Sequence, residues 1–507
     1  MDGPALRVFS IPPRLPFLPT LAKEILGGRI VPGVGADAGD PLALAALTIY
    51  VPTRRAGQTL AAALAAELGG VSAILPRIRT LGEEDEAAGF RPDSPSTLLP
   101  AMEPLHRRLL LARLIRFWKT QLAGAALDVL GEEELVLPAS AADAVWMASD
   151  LTALMDEAAG EGIDLGGLAR IDMSDRLAGW WQLTQTFLSI VTEHWPGELA
   201  ALQLADAAAL RLELARQEAA RYRTEGSRDP VLVAGAVTSV GATLDLMKAI
   251  AGLPNGAVVL PGLDKGLDDD AFQRVRRAHE AAAAGHPQHT LARMLDGLGV
   301  SRADVCEIDG PAAPALRARE TLFSEAMRPA ETTERWHDAA LDLEAGLDGV
   351  CLIEAADEAE EALAIAIAMR EALSEPGSRV ALATPDRSLG RRVCAELERF
   401  GISANDSAGR PLAATPPGEL VRLALQAALT PGDPVVLLSL MKHPLTRLGM
   451  TPADVRRGAR AVEIVALRGG TGVADAAGLA ALYERRRRQR ADDTRVARAV
   501  ELLPEAD

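Results

Sequence analysis

Apolar positions along the chain change period several times, and each change marks an element. Arg7 to Ile11 is a short apolar run that ends in the turn "IPPRLP", after which Phe17 to Leu26 carries apolar residues at helical spacing. A similar run at Leu47 to Val51 leads through "PTRR" into a second helical stretch. Short apolar runs alternating with helical periods predict an α/β unit with a parallel sheet. From Glu103 to Arg223 the spacing is helical throughout, in "LHRRLLLARLIRFW", "AADAVWMASDLTALMDEAAGEG", "LAGWWQLTQTFLSIVTEHW" and "LRLELARQEAARYR", which predicts a helical insertion. Strand signals return at Pro230 to Ala236 and Gly256 to Gly262, so the first sheet is expected to close after the insertion. A second α/β unit is expected from the strand "GVCLIEA" (Gly349 to Ala355), a helix in "DEAEEALAIAIAMREAL" and the strand "RVALATP"; past Pro431 the pattern is helical again. The expected organisation is a first lobe in two parts (1–102 and 224–309) around an insertion (103–223). A linker (310–345), the start of a second lobe (346–430) and a further helical insertion (431–507) follow.

The two α/β units are tied by an internal repeat. "PTRRAGQTLAAAL" (Pro52 to Leu64) aligns without gaps with "PDRSLGRRVCAEL" (Pro385 to Leu397), with identity at five of thirteen positions, and each directly follows an apolar run. Matching spacing on matching strand-to-helix turns predicts two similar lobes.

Composition narrows the class. At 507 residues the chain exceeds one ordinary core, and 49% hydrophobic with 24% charged residues is globular usage. Cys306, Cys351 and Cys394 lie far apart with no C-x-x-C pair, which argues against a disulfide framework, a zinc ribbon or an iron–sulfur cluster and fits a reducing cytoplasm. No basic leader with a long apolar run and no stretch of 18 apolar residues is present, so export and membrane spanning are not expected. A net charge of −17 opposes non-specific attraction to nucleic acid but leaves room for a local basic groove.

The first turn stands where nucleotide-binding folds keep a phosphate loop, yet it is built from Pro12, Pro13, Arg14 and Pro16. A P-loop needs glycines for backbone approach and a Gly-Lys pair to neutralise phosphate. None of the five lysines follows a glycine, and the prolines remove three N–H donors, so Pro12, Pro13 and Arg14 are expected to mark a degenerate nucleotide site. "ALMDEAA" (Ala153 to Ala159) imitates the magnesium-positioning carboxylates of such enzymes, but its apolar residues share one helical face. His279, His286 and His289 could hold zinc, although no further ligand is obvious. Asp264 and Asp268 to Asp270 follow a strand end where hydrolases place metal-binding carboxylates, with helix capping as the plainer role. Thr53, Arg54 and Arg55, with Asp386 and Arg387 in the repeat, sit where a strand end meets a helix N-terminus, a place suited to sequence-independent phosphate contacts. The run Arg485 to Arg490 winds round a helix and is balanced by Asp492 and Asp493, which favours a solvated face.

Taken in order, "FSIPPRLPFLPTLA", "YVPTRRAGQTLAAAL", "LPGLDKGLDDD", "HPQHTLARMLDGLGV", "EAADEAEEALAIAIAMREAL", "ATPDRSLGRRVCAEL", "NDSAGRPLAATPPG" and "LLSLMKHPLTRLG" resemble the alphaproteobacterial-type AddB subunits of AddAB helicase–nucleases, which process double-strand DNA breaks for recombination. The resemblance touches most segments from Phe9 to Gly449. It implies two RecA-like lobes of superfamily 1 helicase type with helical insertions. "YVPTRRAGQTLAAAL" then occupies the place of a phosphate-contacting helicase motif, and the first-lobe ATP site is degenerate. It further implies DNA ends and single-stranded DNA as ligands, and an AddA-like partner that supplies ATP and magnesium chemistry. Family members run to about twice this length and end in a nuclease with an iron–sulfur cluster; the resemblance implies that this chain matches an N-terminal portion, with no cofactor of its own. Two alternatives are carried: a stand-alone α/β metal-dependent hydrolase using Asp264 and Asp268 to Asp270, and a purely structural partner subunit.

Overall fold

In the computed structural model, residues 6–31, 34, 42–81, 99–130, 140–163, 165–170, 184–185, 187–238, 241–277, 281–407, 409–468 and 476–501 are described. The chain divides into two compact units, Met1–Val350 and Cys351–Asp507.

The first unit is organised by a parallel sheet. Its strands are β1 (Val8–Ile11), β2 (Thr48–Val51), β3 (Arg77–Thr80), β4 (Val231–Ala234), β5 (Gly256–Pro261) and β6 (Cys306–Glu307), in the spatial order β3-β2-β4-β5-β1-β6. Every pairing is parallel, with Val8 opposite Val258, Thr48 opposite Val231 and Thr48 opposite Arg77 on the other side. A parallel sheet of this kind must be covered on both faces, which explains the uninterrupted Val/Leu/Ala runs of β4 and β5.

The pleat sorts those runs into two cores. Ile11, Ile49, Val51, Leu232, Ala257 and Val259 face helix α1 (Phe17–Leu26) and helix α2 (Arg54–Glu67). Beyond α2 the chain forms α3 (Pro104–Leu130), α4 (Ala141–Glu161) and α5 (Ala207–Glu225), then α6 (Gly241–Ala251), α7 (Asp269–Arg276) and α8 (His289–Leu298). Val8, Tyr50, Val231, Val233, Val258 and Leu260 face α5, α6, α7 and α8. Alternate residues on opposite faces are the expected consequence of a two-residue period.

Within the expected insertion, α3 and α4 build a separate helical core around Leu111, Ile115, Ala148 and Leu151. Helix α4 starts at a capping box, Ser140 with Asp143, and stops at Gly162 with φ +69°, a conformation open to glycine. Helix α5 belongs elsewhere: Ala219 and Tyr222 are buried against the sheet, so the end of the expected insertion covers the sheet instead. Residues 310–345, expected as a linker, contain α9 (Pro314–Ala326) and lie in the first unit.

In the second unit α10 (Glu358–Ala372) packs on α11 (Arg387–Arg399) through Ala362, Ala366, Val393 and Leu397, and Arg392 reaches Glu358 at 2.9 Å. The helices form as expected, but the strands do not: residues 351–355 and 380–384 carry no strand. Their backbones make no hydrogen bond to another segment among the described residues, and Leu352 is 87% exposed. An apolar run becomes a parallel strand only when neighbouring strands complete its ladder and helices cover it. Beyond α11 the regular elements among the described residues are all helices, and Val455, Ala459, Val465 and Val496 are buried among them. Among the described residues no helix is long and apolar enough to cross a membrane.

Candidate phosphate-contact turns and a closed nucleotide turn

Helix α1 follows β1 on one face of the sheet, whereas α7 and α8 follow the neighbouring strand β5 on the other. Connections that leave adjacent strands in opposite directions open a crevice at the strands' carboxyl ends, the usual ligand site of such sheets. A cavity of about 270 Å³ lies there, between Pro13, Gly262 and Asp264 on one side and Leu316, Phe323 and Met327 on the other.

The turn beside it is closed to phosphate. Leu15 N–H donates to the Pro12 carbonyl at 3.1 Å, Pro16 stands at the N-cap of α1 without a capping side chain, and Pro19 lies in the first turn. Prolines at these positions leave few of the N–H donors a helix N-terminus normally presents. Arg14, with only 9% of its side chain exposed, donates Nη1 to Glu320 at 2.6 Å and Nη2 to Glu307 at 2.8 Å and Asp309 at 3.0 Å. The Arg14 guanidinium holds the Asp309 carboxyl below the usual carboxylate range. One cation among three carboxylates has no charge to spare for phosphate. The clamp was not legible in the sequence, because Glu307, Asp309 and Glu320 lie some three hundred positions from Arg14 and belong to no motif.

The second turn is built differently. Thr53 caps α2, its Oγ1 accepting from Ala56 N–H at 3.1 Å, and Thr53, Arg54 and Arg55 are all exposed. Gly57 lets the helix approach the sheet, since a Cβ there would stand 3.0 Å from Ile78 Cγ2 and 3.5 Å from Val51 Cγ2. Leu60 and Leu64 anchor the same face in the core.

The repeat reproduces this design position by position. Asp386 occupies the place of Thr53 and accepts from Ser388 N–H at 2.7 Å; Gly390, Val393 and Leu397 occupy the places of Gly57, Leu60 and Leu64. A Cβ on Gly390 would meet Thr384 at 3.8 Å, the counterpart of the Gly57–Val51 approach. The arginine of the second copy, at the place of Arg54, is held by its own unit. Arg387 gives a bidentate pair to Asp406, at 3.0 and 2.8 Å, and also donates to the Gly409 carbonyl at 3.2 Å. A phosphate at Arg387 would have to compete with that carboxylate.

The remaining candidates serve the fold. Asp264 Oδ1 accepts from the N–H groups of Gly266 and Leu267, and its Oδ2 accepts from Ser324. Asp268 caps α7 and is paired with Arg328 and Arg335, Asp269 meets Arg302 at 2.5 Å, and Asp270 meets Arg274 at 3.7 Å. His286 bonds the Met327 carbonyl, His289 is buried against the Val275 carbonyl, and His279 lies outside the described residues. Among the described residues no group of three or more His, Cys, Asp or Glu side chains is arranged to hold a metal ion. Asp156, in the carboxylate decoy, pairs with the buried Arg107 at 2.6 Å. Arg490 at the end of the basic run pairs with Asp493 at 2.7 Å.

Two clusters escaped sequence reasoning. Tyr50 on β2 donates to Glu218 at 3.2 Å and lies 3.4 Å from the Tyr222 hydroxyl, binding α5 to the sheet; burial pushes the Tyr50 hydroxyl well above its ordinary pKa. At Asp268, burial alone would raise the pKa, but the Arg328 hydrogen bond, the Ala271 N–H and the nearby Arg335 outweigh it and lower the carboxyl to about 2. An unfolded aspartate titrates near 3.9, so this interaction stabilises fully above about pH 4 and is lost as pH falls toward 2. Urea unfolding of wild type and Asp268→Asn is therefore expected to differ most above pH 5 and to converge near pH 2; a gap constant with pH would refute the assignment.

Compared with family models and with curated proteins, the chain matches none.

Proposed function

We propose that this chain is a helicase-like DNA-handling subunit without a P-loop ATPase of its own. In this reading two RecA-like lobes hold a strand's phosphates, and an AddA-like partner in the cytoplasm supplies ATP-driven movement and magnesium. The observation that carries it is the contrast between the two turns at the carboxyl edge of one sheet. The Pro12–Pro16 turn is proline-stripped and its arginine neutralised, whereas the Thr53 turn keeps a capped helix N-terminus with exposed Arg54 and Arg55. A helix N-terminus with adjacent guanidinium groups suits phosphate. The matching cap, glycine and apolar anchors of Asp386, Gly390, Val393 and Leu397 support a second lobe of related design.

Fluorescence anisotropy with labelled single-stranded DNA tests the reading. Replacing Arg54 and Arg55 together by alanine is expected to weaken binding about tenfold at low salt and to reduce the slope of log K against log salt by about 1.4, the value for two phosphate contacts on a single strand. Circular dichroism should stay unchanged. Equal affinity and equal slope in the double variant would remove the site, and no binding by wild type at low salt, with or without an AddA-like partner, would remove the function.

A further inference from the structure

Helix α9 and the turn after it, residues 314–338, lie across the carboxyl edge of the first sheet in an unusual way. Helices α1 and α6 are seated by buried Leu21, Ile25, Met247 and Ile250, but no apolar side chain of residues 314–338 is buried. The two buried residues of this segment, Arg328 and Thr332, are polar. Phe323 and Met327 are about half exposed beside the unfilled 270 Å³ cavity that separates the segment from Pro13 and Gly262.

What ties it down is polar, and the ties converge on the strand ends. Glu320 meets Arg14, after β1, at 2.6 Å; Ser324 donates to Asp264, after β5, at 2.7 Å. Met327 offers its carbonyl to His286 at 2.6 Å, and Arg328 and Arg335 both reach Asp268 at the start of α7. In the Arg14–Glu320 and Arg328–Asp268 pairs a nearly buried guanidinium meets a carboxylate about a quarter exposed, so salt screens them only in part, whereas it does not weaken apolar burial at all. Segments with little apolar burial also open at lower free energy than the sheets beneath them.

We propose that residues 314–338 form a polar-latched cover over the crevice at the carboxyl ends of β1 and β5, able to lift while the sheet stays folded. Lifting removes Glu320 from Arg14 and widens the already half-open cavity into the crevice, so the width of that opening is set by the latch. The proposal stands independently of DNA binding at Thr53.

Hydrogen–deuterium exchange on the whole chain decides it. Raising salt from about 0.1 M to 1 M shortens the screening length from about 10 Å to about 3 Å. Glu320→Lys sets a cation against Arg14, and Ser324→Ala removes one tie without altering charge. Amides of 314–338 are expected to exchange roughly tenfold faster in Glu320→Lys, with smaller rises in 1 M salt and in Ser324→Ala, while those of β1 and β5 stay within about twofold. The cover is overturned if 314–338 exchanges in step with β1 and β5 under every condition, or if neither salt nor the variants change its rate.

Discussion

Replacing Arg14 by methionine is expected to destabilise the first unit by about 2 kcal/mol at pH 7, below the cost of removing one partner of a fully buried ion pair because Glu307 and Glu320 are each a quarter exposed. Methionine fills similar volume, so the loss comes from leaving Glu307 and Glu320 without Arg14 and Asp309 with only its longer contact to Arg317 at 3.4 Å. The pH dependence gives the prediction its specificity. In the wild type the Arg14 guanidinium favours the anionic Asp309 carboxyl, so protonating it costs stability; in the variant the neighbouring carboxylates are left to repel one another, and protonation relieves that repulsion. The gap between the two should therefore narrow as pH falls toward about 4, where free carboxyls titrate. Adding Glu320→Gln to Arg14→Met should recover part of the loss at pH 7. Urea unfolding across pH 4 to 8 measures all three proteins, and a gap that widened on acidification would show that Arg14 contributes through packing alone.

Leu64→Ala and its counterpart in the repeat, Leu397→Ala, are each expected to cost about 3 kcal/mol, within the 2–5 kcal/mol typical of a buried leucine cut to alanine. Leu64 is 0% exposed and Leu397 1%, at the same position of the thirteen-residue pattern. Exchange should accelerate in α1 and β2 for the first and in α10 and α11 for the second, since those elements line the resulting cavities. Exposed repeat positions where the two copies differ, Gln58 and Arg391, should accept alanine within about 0.5 kcal/mol. If Leu397→Ala were as mild as Arg391→Ala, the repeat would be a coincidence of composition and the second unit would not share the packing of the first.

Helix periods and turn residues were legible because they are local. Phe17–Leu26 forms at the expected bounds, β4 and β5 fall inside the expected apolar runs, and both copies of the repeat start a helix at the third residue of the pattern, with the second as its cap. Strands β3 and β6 were missed: "RIRT" alternates too briefly to stand out, and β6 is two residues long. The runs at 351–355 and 380–384 misled for the opposite reason, since their composition suits a strand but no ladder partner meets them among the described residues. At the candidate site the sequence located both turns, but not that Arg14 is clamped, that Arg387 is paired with Asp406, or that the expected linker crosses the first turn.

The sequence by itself determined the α/β class, the repeat, the missing Gly-Lys pair and the prolines that strip donors from the first turn. Each follows from backbone rules acting over a few residues. Tertiary structure decided the strand order, the crevice between β1 and β5, and the partners of each arginine, because ion pairs depend on side chains up to three hundred positions apart. A guanidinium exposed beside a capped helix and one enclosed by three carboxylates are the same residue in the sequence, and only their neighbours set what each can bind.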